Sequence, residues 1–210
     1  MNKIYVFDLD GTLVDSMPYF TKGILSILDD AKIPYEPSLI NVVTPLGYTK
    51  SAELYVTMGV KDDVATIVKN IEKKLVKEYS ENVKLKPGVD KYLRRLHSEG
   101  ARLFVLTASP HIVTDICLKN NGVYGLFERV WSVEDFKMSK SDVNIFYKVA
   151  STIGCEPCEV NYFDDNLTAV TNSKRAGYRV YGILDMQTDA DIERIRELSD
   201  CFVESFEDFS

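Results

Sequence analysis

Short apolar runs that alternate with helix-spaced stretches constrain this chain most. Residues 4–9, 102–107, 130–133, 160–163 and 178–184 are each brief and apolar, rich in β-branched and aromatic residues. Runs of that length read as buried strands. Between them, Val89, Leu93 and Leu96 share one helical face that stops at Gly100. Ile112, Val113, Ile116 and Cys117 follow Ser109-Pro110, which reads as an N-cap with proline at the first helical position. Val143, Phe146, Tyr147, Ala150 and Ile153 repeat the spacing, residues 167–176 form a helix stopped by Gly177, and Thr188 caps a helix through Leu198. Strands alternating with helices build a parallel sheet covered on both faces, with right-handed crossovers. The expected fold is α/β, a Rossmann-like parallel sheet.

Residues 16–84 break this rhythm. Phe20, Ile24, Ile27, Leu28 and Ala31 form one helical stripe, and Val64, Ile67, Val68, Ile71, Leu75 and Tyr79 a longer one. The reading is a small α-helical insertion, residues 16–84, in a core of residues 1–15 and 85–210. With 45% hydrophobic residues among 210, a substantial core can form. The formal charge of -7 argues against a nucleic-acid surface. No apolar run approaches the roughly 20 residues of a membrane span, and MNKIYVFDLD enters a strand directly rather than an export signal. The expectation is a soluble cytoplasmic protein, monomer or weak homodimer. Of four cysteines, only Cys155 and Cys158 form a CxxC, too few ligands for a structural zinc site.

The first strand ends abnormally. In YVFDLDGTLVDS, a core strand runs into Asp8 and Asp10, then Gly11 and Thr12. Carboxylates are rarely buried unless paired or metal-bound. Another strand ends in Asp164 and Asp165, and a third in Thr107-Ala108-Ser109. Ligands of open α/β sheets bind outside the carboxyl ends of the strands. Oxygen-only ligands favour Mg²⁺ or Ca²⁺ over zinc, and Thr12 stands where an EF-hand needs its third acid. Mg²⁺ typically keeps waters and takes substrate phosphate, whose oxygens a lysine and a threonine hydroxyl would suit.

DLDGT, LTAS, a lysine and FDD, in that order, resemble the haloacid dehalogenase-like (HAD) hydrolase superfamily. The likeness is to its members with a helical cap between motifs one and two, phosphoglycolate phosphatases and β-phosphoglucomutases among them. Asp8-Leu9-Asp10-Gly11-Thr12 matches motif one in full, Thr107 motif two, and Asp164 with Asp165 motif four. Lys140 matches motif three better than Lys137, because Phe146 keeps the alignment. The chain departs from relatives in lacking both prolines after that lysine and in having Asn166, not Ser or Thr, after the acidic pair.

The resemblance implies a Mg²⁺-dependent phosphatase of a small phosphorylated metabolite. Asp8 would be the nucleophile forming an aspartyl-phosphate, and Asp10 the general acid and base. Thr107, the backbone of Ala108 and Lys140 would hold the phosphoryl group. Asp8, the Asp10 carbonyl, and Asp165 or Asp164 would hold the metal. Tyr19, Phe20, Tyr48 and Lys50 are candidates for facing the substrate, the latter two in a stretch, residues 44–50, where relatives place a substrate loop. A β-phosphoglucomutase-like phosphomutase is the alternative activity. A noncatalytic binding or regulatory protein on this scaffold is the alternative class, and it predicts damage to the catalytic set, which the sequence does not show.

Overall fold

The computed structural model describes residues 3–209. The chain divides into two compact units: residues up to Asp15 together with those from Lys84 onward, and Ser16–Val83. No described helix is long and apolar enough to cross a membrane.

The helices, in chain order, begin in the second unit. They are α1 (Met17–Asp30), α2 (Leu39–Val43), α3 (Gly47–Met58) and α4 (Val64–Glu81). The first unit adds α5 (Val89–Ser98), α6 (His111–Asn120), α7 (Val133–Phe136), α8 (Asn144–Ile153), α9 (Leu167–Arg175) and α10 (Asp189–Leu198). Its strands are β1 (Ile4–Phe7), β2 (Arg102–Thr107), β3 (Arg129–Ser132), β4 (Val160–Asp164), β5 (Arg179–Ile183) and β6 (Cys201–Val203).

The six strands form one parallel sheet in the order β3-β2-β1-β4-β5-β6. This is the α/β architecture that the alternation predicts, extended by β6. Period-two alternation divides the core. Ile4, Val6, Phe104, Leu106, Tyr162 and Val180 face α8 and α9, meeting Phe146, Val149, Ala169 and Val170. Tyr5, Phe7, Phe163 and Tyr181 point the other way. Phe7 and Phe163 lie 4.7 Å apart by ring centroid, and Phe163 stacks on Tyr181 at 4.3 Å. Tyr92 of α5 and the 3-10 turn Phe206–Phe209 cover that layer. Burying one phenylalanine is worth about 1.5–3 kcal/mol. Phe7 and Phe163 are fully buried, so they anchor β1 and β4 at the centre of the sheet, one residue before the carboxylates begin.

The second unit is all helical. Ile24 and Leu28 of α1 and Ile67, Ile71 and Leu75 of α4 are fully buried. Gly23 permits the close approach of these helices, since a Cβ there would lie 2.5 Å from Leu75 Cδ2. The Tyr55 hydroxyl of α3 donates to the Ile24 carbonyl at 3.1 Å. Residues 44–50 form a 3-10 turn, Thr44–Leu46, running into α3, so Tyr48 and Lys50 lie on a helical first turn rather than a loop.

One helix start differs from expectation. Pro110, not Ser109, is the N-cap of α6, and no side chain caps it. The Ser109 hydroxyl is engaged elsewhere.

Candidate active site

The register of the central strands assembles the acidic cluster. Phe7 pairs with Phe163, and the Asp8 N–H donates to the Phe163 carbonyl at 2.9 Å. Asp8 and Asp164 therefore emerge side by side from adjacent strand ends. Asp8 is 6% exposed and Asp164 is fully buried. One oxygen each from Asp8, Asp164 and Asp165 lie within 4.8 Å of one another.

After Asp8 the chain folds back on itself. The Leu9 carbonyl accepts from the N–H groups of Thr12, Leu13 and Val14 at 3.3, 2.9 and 3.1 Å. Gly11 makes this turn with φ 76°, a left-handed conformation that costs other residues energy. The turn brings the Thr12 hydroxyl to Asp165 Oδ1 at 3.0 Å. It leaves Asp10 at the rim, where the Ser109 hydroxyl donates to its Oδ2 at 2.6 Å.

Thr107 ends β2 and is 1% exposed. Its Oγ1 accepts the Ser109 N–H at 3.0 Å, so the Thr107 O–H proton points away from that amide and can serve an anionic oxygen. Lys140 comes from the segment between α7 and α8. Asn172 of α9 fixes that segment, donating to the carbonyls of Lys140 and Ser141 at 3.0 Å each. The Lys140 ammonium donates to Asp8 Oδ1 at 2.5 Å and Asp164 Oδ2 at 2.8 Å. Lys137, the other candidate lysine, is exposed and adopts φ 52°.

The two members of the acidic pair differ. Asp164 accepts from Lys140, from the Tyr162 hydroxyl and from the Asn166 N–H at 2.8 Å. Asp165 takes the Thr12 hydroxyl, and its Oδ2 lies 2.6 Å from where a Cβ on Gly11 would stand. Behind it is a set that the motifs do not announce. Gln187 donates to the carbonyls of Asp165 at 2.7 Å and Ile183 at 3.1 Å, and accepts the Asp185 N–H at 2.8 Å. Lys86 donates to Asp185 Oδ1 at 2.8 Å and the Leu184 carbonyl at 3.0 Å. No sequence signal marks Lys86, Asp185 or Gln187, and Ser109 reads only as a strand end and helix cap. They meet only once β2 and β5 lie on opposite sides of β1.

Burial and crowding set the protonation of the cluster. Burial pushes Asp8 up to about 8; Lys140 opposes this, while Asp164 and Asp10 reinforce it. Asp165 is raised well above the carboxylate range by burial, then by Asp164, Asp8 and Asp185, against the Thr12 hydrogen bond. Lys140 is raised despite its burial, because Asp164 and Asp8 attract its charge. One ammonium does not neutralise three carboxylates. An oxygen-only, strongly anionic set is the donor chemistry of a hard divalent cation, so these residues fit Mg²⁺.

The sequence-derived candidates thus divide. Asp8, Asp10, Thr107, Ala108, Lys140, Asp164 and Asp165 all lie in the sheet unit, and all but Ala108 belong to one hydrogen-bonded and electrostatic group with Ser109. Ala108 is exposed beside Thr107. Tyr19, Tyr48 and Lys50 belong to the helical unit, where the Tyr48 and Phe20 rings lie 6.5 Å apart and Lys50 is exposed.

Known proteins resemble this chain in sequence and in fold. A phosphorylated carbohydrates phosphatase of Thermotoga maritima is 24% identical over 188 residues, 88% of this chain and 86% of that protein. A phosphoglycolate phosphatase of Haemophilus influenzae is 27% identical over 193 residues, 86% of this chain and 85% of that protein. A variant of CbbY from Rhodobacter sphaeroides, solved with xylulose 1,5-bisphosphate, superposes with a TM-score of 0.82 at 17% identity, covering 98% of this chain and 95% of that one. The haloacid dehalogenase-like hydrolase profile matches residues 5–183, and the chain belongs to that family.

Proposed function

We propose that this protein is a Mg²⁺-dependent phosphatase that hydrolyses a small phosphorylated metabolite through an aspartyl-phosphate on Asp8. The observation that carries this reading is the placement of Asp8. It is a buried carboxylate held by Lys140, beside two further carboxylates. Relatives named as phosphatases of phosphorylated carbohydrates and of phosphoglycolate support the substrate class.

Asp8 attacks phosphorus, and the ester P–O bond breaks as Asp10 protonates the leaving alkoxide. Asp10 then deprotonates a water that attacks the phosphorylated Asp8, releasing phosphate and restoring the carboxylate. Thr107 and Lys140 hold phosphoryl oxygens through the transfer. Asp8, Asp165 or Asp164, and the Asp10 carbonyl would hold Mg²⁺, which when bound would offset the repulsion of carboxylate and phosphate. In this reading the Ser16–Val83 unit is the substrate-selecting cap, and Tyr19, Tyr48 and Lys50 are its candidate contacts.

The test is a phosphate-release screen across phosphorylated metabolites, with Mg²⁺ and with chelator. Release should require Mg²⁺, and Asp8→Asn should abolish it while leaving the thermal melt in place. An Asp8→Asn protein that works at the wild-type rate sinks the nucleophile assignment. Interconversion of sugar phosphates without net phosphate release identifies a mutase instead.

A further inference from the structure

We propose that Ser109 is a positioning residue for Asp10, fixing the orientation of the carboxylate that exchanges the proton with the leaving group. This rests on the reading of Asp10 as general acid. Ser109 follows a proline-initiated helix rule on paper, yet it caps nothing, because α6 begins without a side-chain cap. Its groups are committed otherwise. The N–H donates to Thr107 Oγ1 at 3.0 Å, and the carbonyl accepts the Thr114 hydroxyl at 3.4 Å. The backbone is thereby held at both ends. The side chain is 9% exposed, and its hydroxyl donates to Asp10 Oδ2 at 2.6 Å, a contact between residues 99 apart in sequence.

Two consequences follow from that geometry. With Oδ2 accepting the serine proton, the Asp10 carboxylate is held in one orientation. One residue also joins the two halves of the chemistry, since the same Ser109 orients the phosphoryl-binding Thr107 through its amide and the proton carrier through its hydroxyl. Groups locked by such supporting bonds keep the geometry that proton transfer needs, and a misplacement of about 1 Å can cost on the order of 10²-fold in rate.

Leaving-group dependence distinguishes this role from a structural one. A phenolate needs Asp10's proton to depart, whereas 2,4-dinitrophenolate departs as the anion. We would measure kcat/KM, which covers the steps through leaving-group departure, for phenyl phosphate and 2,4-dinitrophenyl phosphate with saturating Mg²⁺. Ser109→Ala should lower the value for phenyl phosphate roughly 10–100-fold and that for dinitrophenyl phosphate by less than about 3-fold. Ser109→Gly also removes the hydroxyl and should give the same pattern, so a folding defect peculiar to one variant leaves the test intact. Equal losses on both esters, or no loss on either, overturn the role of Ser109. Asp10→Asn is the control, with a selective loss of roughly 10²–10⁴-fold on phenyl phosphate. An Asp10→Asn protein without that selectivity overturns the reading of Asp10 itself, and a wild-type protein inert towards both esters overturns the phosphatase reading.

Discussion

Gly11 sits where two carboxylates converge. A Cβ at this position would stand 2.6 Å from Asp165 Oδ2 and 2.7 Å from Asp185 Oδ2, with φ at 76°. Gly11→Ala therefore meets both costs at once. The left-handed backbone alone is worth about 1–2 kcal/mol against alanine, and the side chain must also displace Asp165 from the cluster. The expected outcome is a melting midpoint lowered by at least about 1 kcal/mol in stability together with weaker Mg²⁺ binding, read by denaturant titration and by calorimetry. A variant with unchanged metal affinity would show that Asp165 does not depend on this turn. The glycine was legible in DLDGT because a sharp bend after a strand needs one. Its crowded neighbour Asp185 was not, since residues 11 and 185 approach only through the sheet. The same holds for Ser109, whose sequence context pointed to a helix cap while its hydroxyl found Asp10.

Among the elements, α9 keeps its N-cap despite one departure from the family pattern. Asn166 stands where relatives have serine or threonine, and it is the N-cap of α9, accepting the N–H groups of Thr168 at 3.0 Å and Ala169 at 3.3 Å. Asparagine and serine are near-equal N-caps, with threonine slightly weaker. What this position requires is a short acceptor, not one residue. Asn166→Ala should lower stability by about 1 kcal/mol, and Asn166→Ser should keep most of it; urea unfolding of the three proteins decides this, and an alanine variant as stable as the parent defeats the capping argument. Because α9 starts directly after Asp165 and also carries Asn172, which holds the Lys140 segment, fraying there reaches both sides of the cluster. The strands that end in carboxylates were legible because their apolar runs are too short for helices and rich in β-branched and aromatic residues. The three-residue β6 and the 3-10 turn Phe206–Phe209 were not. Their role comes from finishing a sheet edge and covering the Tyr92–Phe163 ring layer, which no local pattern encodes. Likeness to relatives places a loop at residues 44–50, yet they form a 3-10 turn that enters a helix, with Pro45 in its first turn.

For the molecule as a whole, the sheet gathers more carboxylates at one edge than its own cations can neutralise, and this ties stability to pH and metal together. Asp8 rises from its ordinary 3.8 to about 8 through burial foremost, with Asp164 and Asp10 adding repulsion and Lys140 opposing. A carboxylate raised on folding binds more protons in the native state than in the unfolded one. Its contribution is fully present below pH 3.8 and is lost as pH rises through about 8. The metal-free protein should therefore lose stability between those limits, with Asp165, raised by burial and by the same neighbours, acting in the same direction. A divalent cation reverses the sign, since it favours ionised carboxylates and must expel the proton that they hold. Mg²⁺ binding should release protons near neutral pH, and affinity should tighten from pH 6 to pH 8 by up to about tenfold per unit for each proton released. At a Mg²⁺ concentration of 100 times the dissociation constant the stabilisation is about 2.7 kcal/mol, large enough to read as a shift in melting temperature. Calorimetric titration in buffers of different ionisation enthalpy counts the protons, and melts at pH 6, 7 and 8 with and without Mg²⁺ give the trend. If Mg²⁺ stabilises equally at pH 6 and pH 8 with no proton released, Asp8 is already ionised without the metal, and Lys140 rather than burial governs its charge.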